Sequence, residues 1–108
     1  MKILLDENIP AKVKYDFGPE YEVWTVRDKK WLGKKNGELL GLMTLNGFEF
    51  FITVDKNLPK QQNLEKFRIK IIVLFAKNNK HQTLQPLIEK VKLQLLAGTL
   101  NSFNEIRL

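Results

Sequence analysis

The sequence predicts an α/β domain, a three-layer α/β/α sandwich whose central sheet is mostly parallel. Short apolar, β-branched runs alternate along the chain with stretches of helical periodicity, the pattern of strands joined by crossover helices. At 108 residues there is room for one hydrophobic core, so residues 1–108 are expected to form a single domain.

Taken in order, Ile3-Leu4-Leu5 is a continuous apolar run ended by the charge of Asp6, as expected of a strand buried on both faces. Asn8 or the neighbouring acids are suited to cap a following helix, with Pro10 tolerated in its first turn. That helix is expected to reach Phe17, where Gly18-Pro19 stops it. Tyr21 to Val26 is aromatic and β-branched and predicts a second strand. A basic loop then leads through Gly33 to Asn36. Leu39, Leu40, Leu42, Met43 and Leu45 recur at helical spacing, closed by Asn46-Gly47. Within that helix Gly41 either costs roughly 1 kcal/mol against alanine or marks a close packing contact.

Phe48 to Val54 predicts the third strand, and a polar loop from Lys56 to Lys66 has room for a helical turn. Ile69 to Phe75 predicts the fourth strand. Thr83 or a neighbour is expected to cap a last helix, with Leu84, Leu87, Ile88, Val91, Leu95 and Leu96 as its core positions and Gly98 as its end. Phe103 to Leu108 is expected as a final edge strand.

Composition narrows the function classes. No apolar run approaches the roughly 20 residues that cross a bilayer, and the start of the chain reaches a charge too soon for a signal peptide. The chain has no cysteine, so disulfides and thiolate metal sites are excluded. A cytoplasmic protein with no membrane association is expected. The formal charge of +6 fits a polyanionic partner such as RNA, or an acidic protein. Arg27, Lys29, Lys30, Lys34 and Lys35 crowd one stretch, and Lys56, Lys60, Lys66, Arg68 and Lys70 form another. Each group is either a solvated loop or a phosphate-binding surface.

One pattern occurs twice: Leu4-Leu5-Asp6-Glu7-Asn8-Ile9-Pro10 and Thr53-Val54-Asp55-Lys56-Asn57-Leu58-Pro59. The flanking sequences do not match, so this is recurrence of a local solution and not duplication. In an open parallel sheet, ligand sites gather at the carboxyl ends of the strands. If the first and third strands are neighbours, Asp6 and Asp55 enter one crevice. Two carboxylates held close repel unless a cation or proton sits between them, and hard oxygen ligands favour Mg²⁺ or Mn²⁺. The bland alternative is that both are ordinary turn and cap residues. Glu38, near the start of the second helix, is either a third ligand, with Asn36 beside it as a supporting donor, or a carboxylate favoured by the helix dipole. Glu7 is expected to face solvent and Asp28 to be charge-paired. Trp31 either stacks on a base or packs over the core edge. His81 is given no catalytic role.

The stretches Ile3 to Pro10, Val26-Arg27-Asp28, Trp31-Leu32-Gly33, Lys35 to Leu40 and Ile52 to Leu58, in that order, resemble a family of short bacterial PIN-like domains, similar to the VapC-type toxins. The similarity covers residue 2 to about residue 96. The resemblance implies a parallel sheet whose acids bind Mg²⁺ or Mn²⁺ and cleave RNA, an antitoxin protein as partner, and a homodimer. It matches Asp6 to the acid after the first strand and Asp55 to the acid of the hydrophobic-Thr-x-Asp strand. Taken with the residues' own placement, Asp6, Asp55 and Glu38 are expected to hold the metal, while Lys29, Lys30, Lys34, Lys35 and Lys56 are expected to attract the RNA backbone. The departure is that related sequences carry three or four acids, and Asn36 stands where an acid is expected.

Overall fold

The computed structural model describes residues 1–58 and 67–108; the expected helical turn in the Lys56–Lys66 loop falls largely outside them. The elements are β1 (Lys2–Leu5), a 3-10 helix η1 (Ala11–Asp16), β2 (Glu22–Thr25), α1 (Asn36–Leu45), β3 (Phe50–Thr53), β4 (Lys70–Leu74), α2 (His81–Ala97) and β5 (Phe103–Ile106). The strands form one sheet in the order β2-β1-β3-β4-β5, and every neighbouring pair is parallel. The sheet is therefore wholly parallel, one step beyond the mostly parallel expectation.

Alternation along each strand sends side chains to two separate cores. Ile3, Leu5, Ile52, Ile72 and Leu74 pack with η1 and α2 through Val13, Leu84, Leu87, Ile88 and Val91. Leu4, Phe51, Ile71 and Val73 face the other way onto α1 through Leu39, Leu40 and Met43. Helices thus cover both faces of the sheet. Because β1–η1–β2 runs one way along the sheet and β2–α1–β3 runs back over the opposite face, these two crossovers share a hand. The β4–α2–β5 crossover advances in the same direction as β2–α1–β3 but on the other face, so it has the opposite hand. Crossovers of a single hand are otherwise the strong rule.

Several local expectations are corrected. The first helix is one short 3-10 segment, begun at Pro10 with no side-chain cap, so neither Asn8 nor its acidic neighbours cap it. Asn8 instead spends its amide on β3, as described below. The caps of α1 and α2 are Lys35 and Lys80, again without side-chain hydrogen bonds, and Thr83 lies inside the helix. Gly98 ends α2 in the left-handed region at φ 68°, where glycine carries no steric penalty. Leu96 is 74% exposed and Leu45 85% exposed, because each falls outside the arc its helix turns to the sheet. A Cβ at Gly41 would meet nothing within 4 Å, so that glycine marks no close packing contact.

Candidate active site

Strand order reverses between β1 and β3, because the chain leaves β1 toward β2 and then returns to the other side. In open parallel sheets this switch point opens the crevice at the carboxyl ends of the strands. The backbone N–H of Asp6 continues the ladder, donating to Ile52 O at 2.9 Å. Asp6 and Asp55 therefore leave adjacent strands at the same edge.

Both repeats of the Asp-x-Asn pattern close the same kind of turn. Ile9 N–H donates to Asp6 O at 3.0 Å, and Leu58 N–H donates to Asp55 O at 3.4 Å. Within them Asp6 Oδ1 accepts from Glu7 N–H at 2.8 Å, and Asp55 Oδ1 accepts from Asn57 N–H at 2.9 Å. The turn-residue reading is thus correct as far as it goes, and it leaves the outer carboxylate oxygens to be accounted for.

Thr53 joins the two motifs. It is fully buried, and its hydroxyl donates to Asp6 Oδ2 at 2.6 Å while accepting from Asp55 N–H at 3.0 Å. Asn8 completes the link: its Nδ2 donates to Thr53 Oγ1 and its Oδ1 accepts from Val54 N–H, both at 3.4 Å. A hydroxyl ending an otherwise apolar strand, Phe-Phe-Ile-Thr, was the available signal for this residue.

Burial is the largest influence on the Asp6 carboxyl and pushes it above the ordinary carboxylate value. Donation from Thr53 and from Glu7 N–H pulls it back, and the negative charges of Glu7 and Asp55 push it up again. Among the described residues no ion pair reaches Asp6 or Asp55. A desolvated carboxylate with a second one nearby and no paired cation is a setting that a divalent ion would stabilise.

Two hollows meet at Asp6. The smaller, about 170 Å³, is lined by Asp6, Glu7 and Asp55 together with Trp31, Lys34 and Asn36. The larger, about 530 Å³, extends over β2 and is lined by Asp6, Glu7, Thr25, Arg27 and Asp28 among others. They share Asp6 and Glu7 and so form one groove. Glu38 does not line it; that side chain is exposed and lies 3.9 Å from Lys34. Glu7, exposed as expected, adjoins both hollows, and Asp28 lines the larger one. Among the described residues no group of three or more acids, histidines or cysteines is arranged to hold a metal ion. Two carboxylates are still enough for Mg²⁺, which keeps several waters of its own.

The basic residues divide. Lys34 lines the groove, and Lys35 is exposed at the start of α1. Lys30 is exposed with a left-handed backbone, φ 62°. Lys29 is held over three rings, Trp24 at 5.0 Å, Trp31 at 5.3 Å and Phe48 at 5.9 Å. Trp31 packs edge-on against Phe48, so it borders the groove and the core at once. Lys56 lies 4.9 Å over the Phe75 ring. Asp28 is charge-paired as expected, 2.8 Å from Lys14. His81 contacts Asp16 at 2.8 Å and ties η1 to α2; it lines neither hollow.

The fold and groove together define an all-parallel α/β protein with a two-aspartate crevice at its switch point. Compared with known proteins, the chain has no matching family model, no matching curated relative and no matching solved structure. No helix of the described residues is long and apolar enough to cross a membrane.

Proposed function

We propose that this chain is a PIN-like, metal-dependent endoribonuclease, the toxin of a toxin–antitoxin pair. One observation carries the reading: Asp6 and Asp55 line a single hollow at the ends of adjacent parallel strands, joined through the buried Thr53 hydroxyl. Asp6 and Asp55 would hold Mg²⁺ or Mn²⁺, with Glu7 at the rim and Asn36 as a neighbouring donor. When bound, the ion supplies Lewis-acid stabilisation of the charge that develops on a phosphodiester. The chain's own part is positional. Thr53 fixes the orientation of the Asp6 carboxylate, and Lys34 and Arg27 place positive charge along the groove for the RNA backbone. The net charge of +6 also suits an acidic antitoxin.

The test is cleavage of labelled structured and single-stranded RNAs with Mg²⁺ or Mn²⁺, comparing wild type with Asp6→Asn and Asp55→Asn. Cleavage that needs metal and is lost in both folded variants supports the nuclease. A second readout is thermal: either ion should raise the melting temperature of wild type by binding the folded state alone, and Asp6→Asn should abolish that rise.

A second reading is a catalytically weak or inactive PIN-like module that binds RNA or an acidic protein. It is favoured by the position of Glu38, outside the groove and beside Lys34. Steeply salt-dependent RNA binding without cleavage would select it.

A further inference from the structure

Beyond Asp55 the same edge of the sheet carries a second cluster, centred on Phe75, which directly follows β4. Two cations converge on its ring. The Arg107 guanidinium lies 3.8 Å and the Lys56 ammonium 4.9 Å from the centroid. The two come from different parts of the chain: Lys56 directly follows Asp55, and Arg107 directly follows β5. Cation–ring contacts of this kind hold a long side chain's charge in one place, and both side chains remain exposed. Glu105 sits 3.3 Å from Arg107, an exposed pair of the kind that contributes little and exchanges readily. Among the described residues no ion pair involves Lys56.

Beside the ring lies a hollow of about 270 Å³ lined by Phe75, Ala76, Lys77, Thr83, Leu87 and Leu108. Fixed cations next to an apolar hollow are what a nucleic-acid strand uses, charge for its phosphates and an apolar recess, here edged by Phe75 with Leu87 and Leu108, for a base. Neighbouring strands lie about 4.8 Å apart, so β5 stands roughly 10 Å beyond β3. That places the cluster further along the line on which the groove crosses the strand ends.

We propose that Lys56, Arg107 and the Phe75-walled hollow form a second contact surface for RNA, holding the part of the strand that runs past the Asp6–Asp55 groove over the ends of β4 and β5. The proposal rests on the reading of that groove as an RNA site.

The test uses the full chain in EDTA, so that nothing is cut. Binding of a labelled tetranucleotide and a labelled dodecanucleotide RNA is followed by fluorescence anisotropy across a salt series for wild type, Arg107→Ala and Lys56→Ala. Both positions are exposed, and circular dichroism checks the fold. Each variant should weaken the dodecanucleotide several-fold more than the tetranucleotide. Each should also make the slope of log affinity against log salt shallower by about 0.7 for the longer RNA, the value for one phosphate contact on a single strand. Equal weakening at both lengths, or none, would overturn the proposal and leave the groove reading standing. Wild type that binds neither RNA would overturn both. Displacement of the RNA by polyglutamate as readily as by unlabelled RNA would overturn it in favour of an acidic protein partner.

Discussion

Replacing Thr53 by valine removes one oxygen and keeps the shape, so it isolates the hydroxyl that links Asp6 to Asp55. A hydrogen bond to a charged partner contributes about 1.5–3 kcal/mol, and a backbone N–H left without an acceptor costs about 1–3 kcal/mol. Here the first is the 2.6 Å donation to Asp6 and the second is the Asp55 N–H at 3.0 Å. Asp55 is only partly buried, so water recovers some of the second loss, and the buried methyl gained by valine offsets a little more. The expected destabilisation is about 2–4 kcal/mol, within the roughly 5–15 kcal/mol of a typical domain. Thr53→Ser is the control. It keeps the hydroxyl and loses one buried methyl, about 1 kcal/mol. Urea unfolding followed by the fluorescence of Trp24 and Trp31 measures both. NMR titration adds a second signature, because losing the Thr53 donor should move the Asp6 carboxyl still further above its ordinary value. Valine equal to wild type, or serine costing more than valine, would show that the hydroxyl does not hold the two motifs together.

Four further outcomes follow from other positions. Glu7→Gln should lower RNA cleavage while Glu38→Gln leaves it close to wild type, since Glu7 adjoins both hollows and Glu38 lines neither; the reverse result in a cleavage assay would restore Glu38 as the third acid. Gly41→Ala should raise stability by about 0.4–1 kcal/mol by calorimetry, because the helix accepts a Cβ there and the unfolded chain loses freedom. Lys30→Gly should stabilise by a similar amount, about 1 kcal/mol, by relieving a left-handed lysine, and no gain in melting temperature would refute the strain. The Lys14 ammonium, foremost, and the Thr25 N–H hold the Asp28 carboxyl below its ordinary value, and the same contact raises Lys14 above its own. The pair's contribution is therefore present above the ordinary aspartate range and is lost as pH falls through the lowered Asp28 value. At the basic end it is lost as pH rises through the raised Lys14 value. Asp28→Asn should flatten the acid limb of a stability–pH profile, and an unchanged limb would count against the pair.

β1 to β4 were legible because each is apolar through its centre, with ends that differ from the expected ones by one or two residues, whereas β5 has Asn104 and Glu105 at its centre. Whether Asp6 and Asp55 meet was not legible, since strand order depends on which face each connection crosses. The pairing of β1 with β3 answers it. The 3-10 segment was missed for a local reason: Pro10 opens it and no side chain caps it, while Asn8, a good cap residue, is engaged by β3. Helix periodicity placed Leu84, Leu87, Ile88, Val91 and Leu95 in the core but overran at Leu96, because an apolar residue leaves no mark of the arc it occupies. Glu38 looked like a site residue by its distance along the chain. Lying on the first turn of α1, it sits 3.9 Å from Lys34, four residues earlier, and lines neither hollow itself.

The side of the sheet on which α2 lies sets when that face can close. Because α2 lies on the η1 side, the face formed by Ile3, Leu5, Ile52 and Ile72 is covered, among the described residues before α2, by the short η1 segment and its neighbours Ile9, Phe17 and Tyr21. The ties that hold α2 there, Asp16 to His81 and Asp16 to Lys92, span 65 and 76 residues. Contacts so distant in sequence form late and slowly. During synthesis that layer is completed only when α2 has left the ribosome, so a truncation before α2 would strip it, whereas one between α2 and β5 would remove an edge strand.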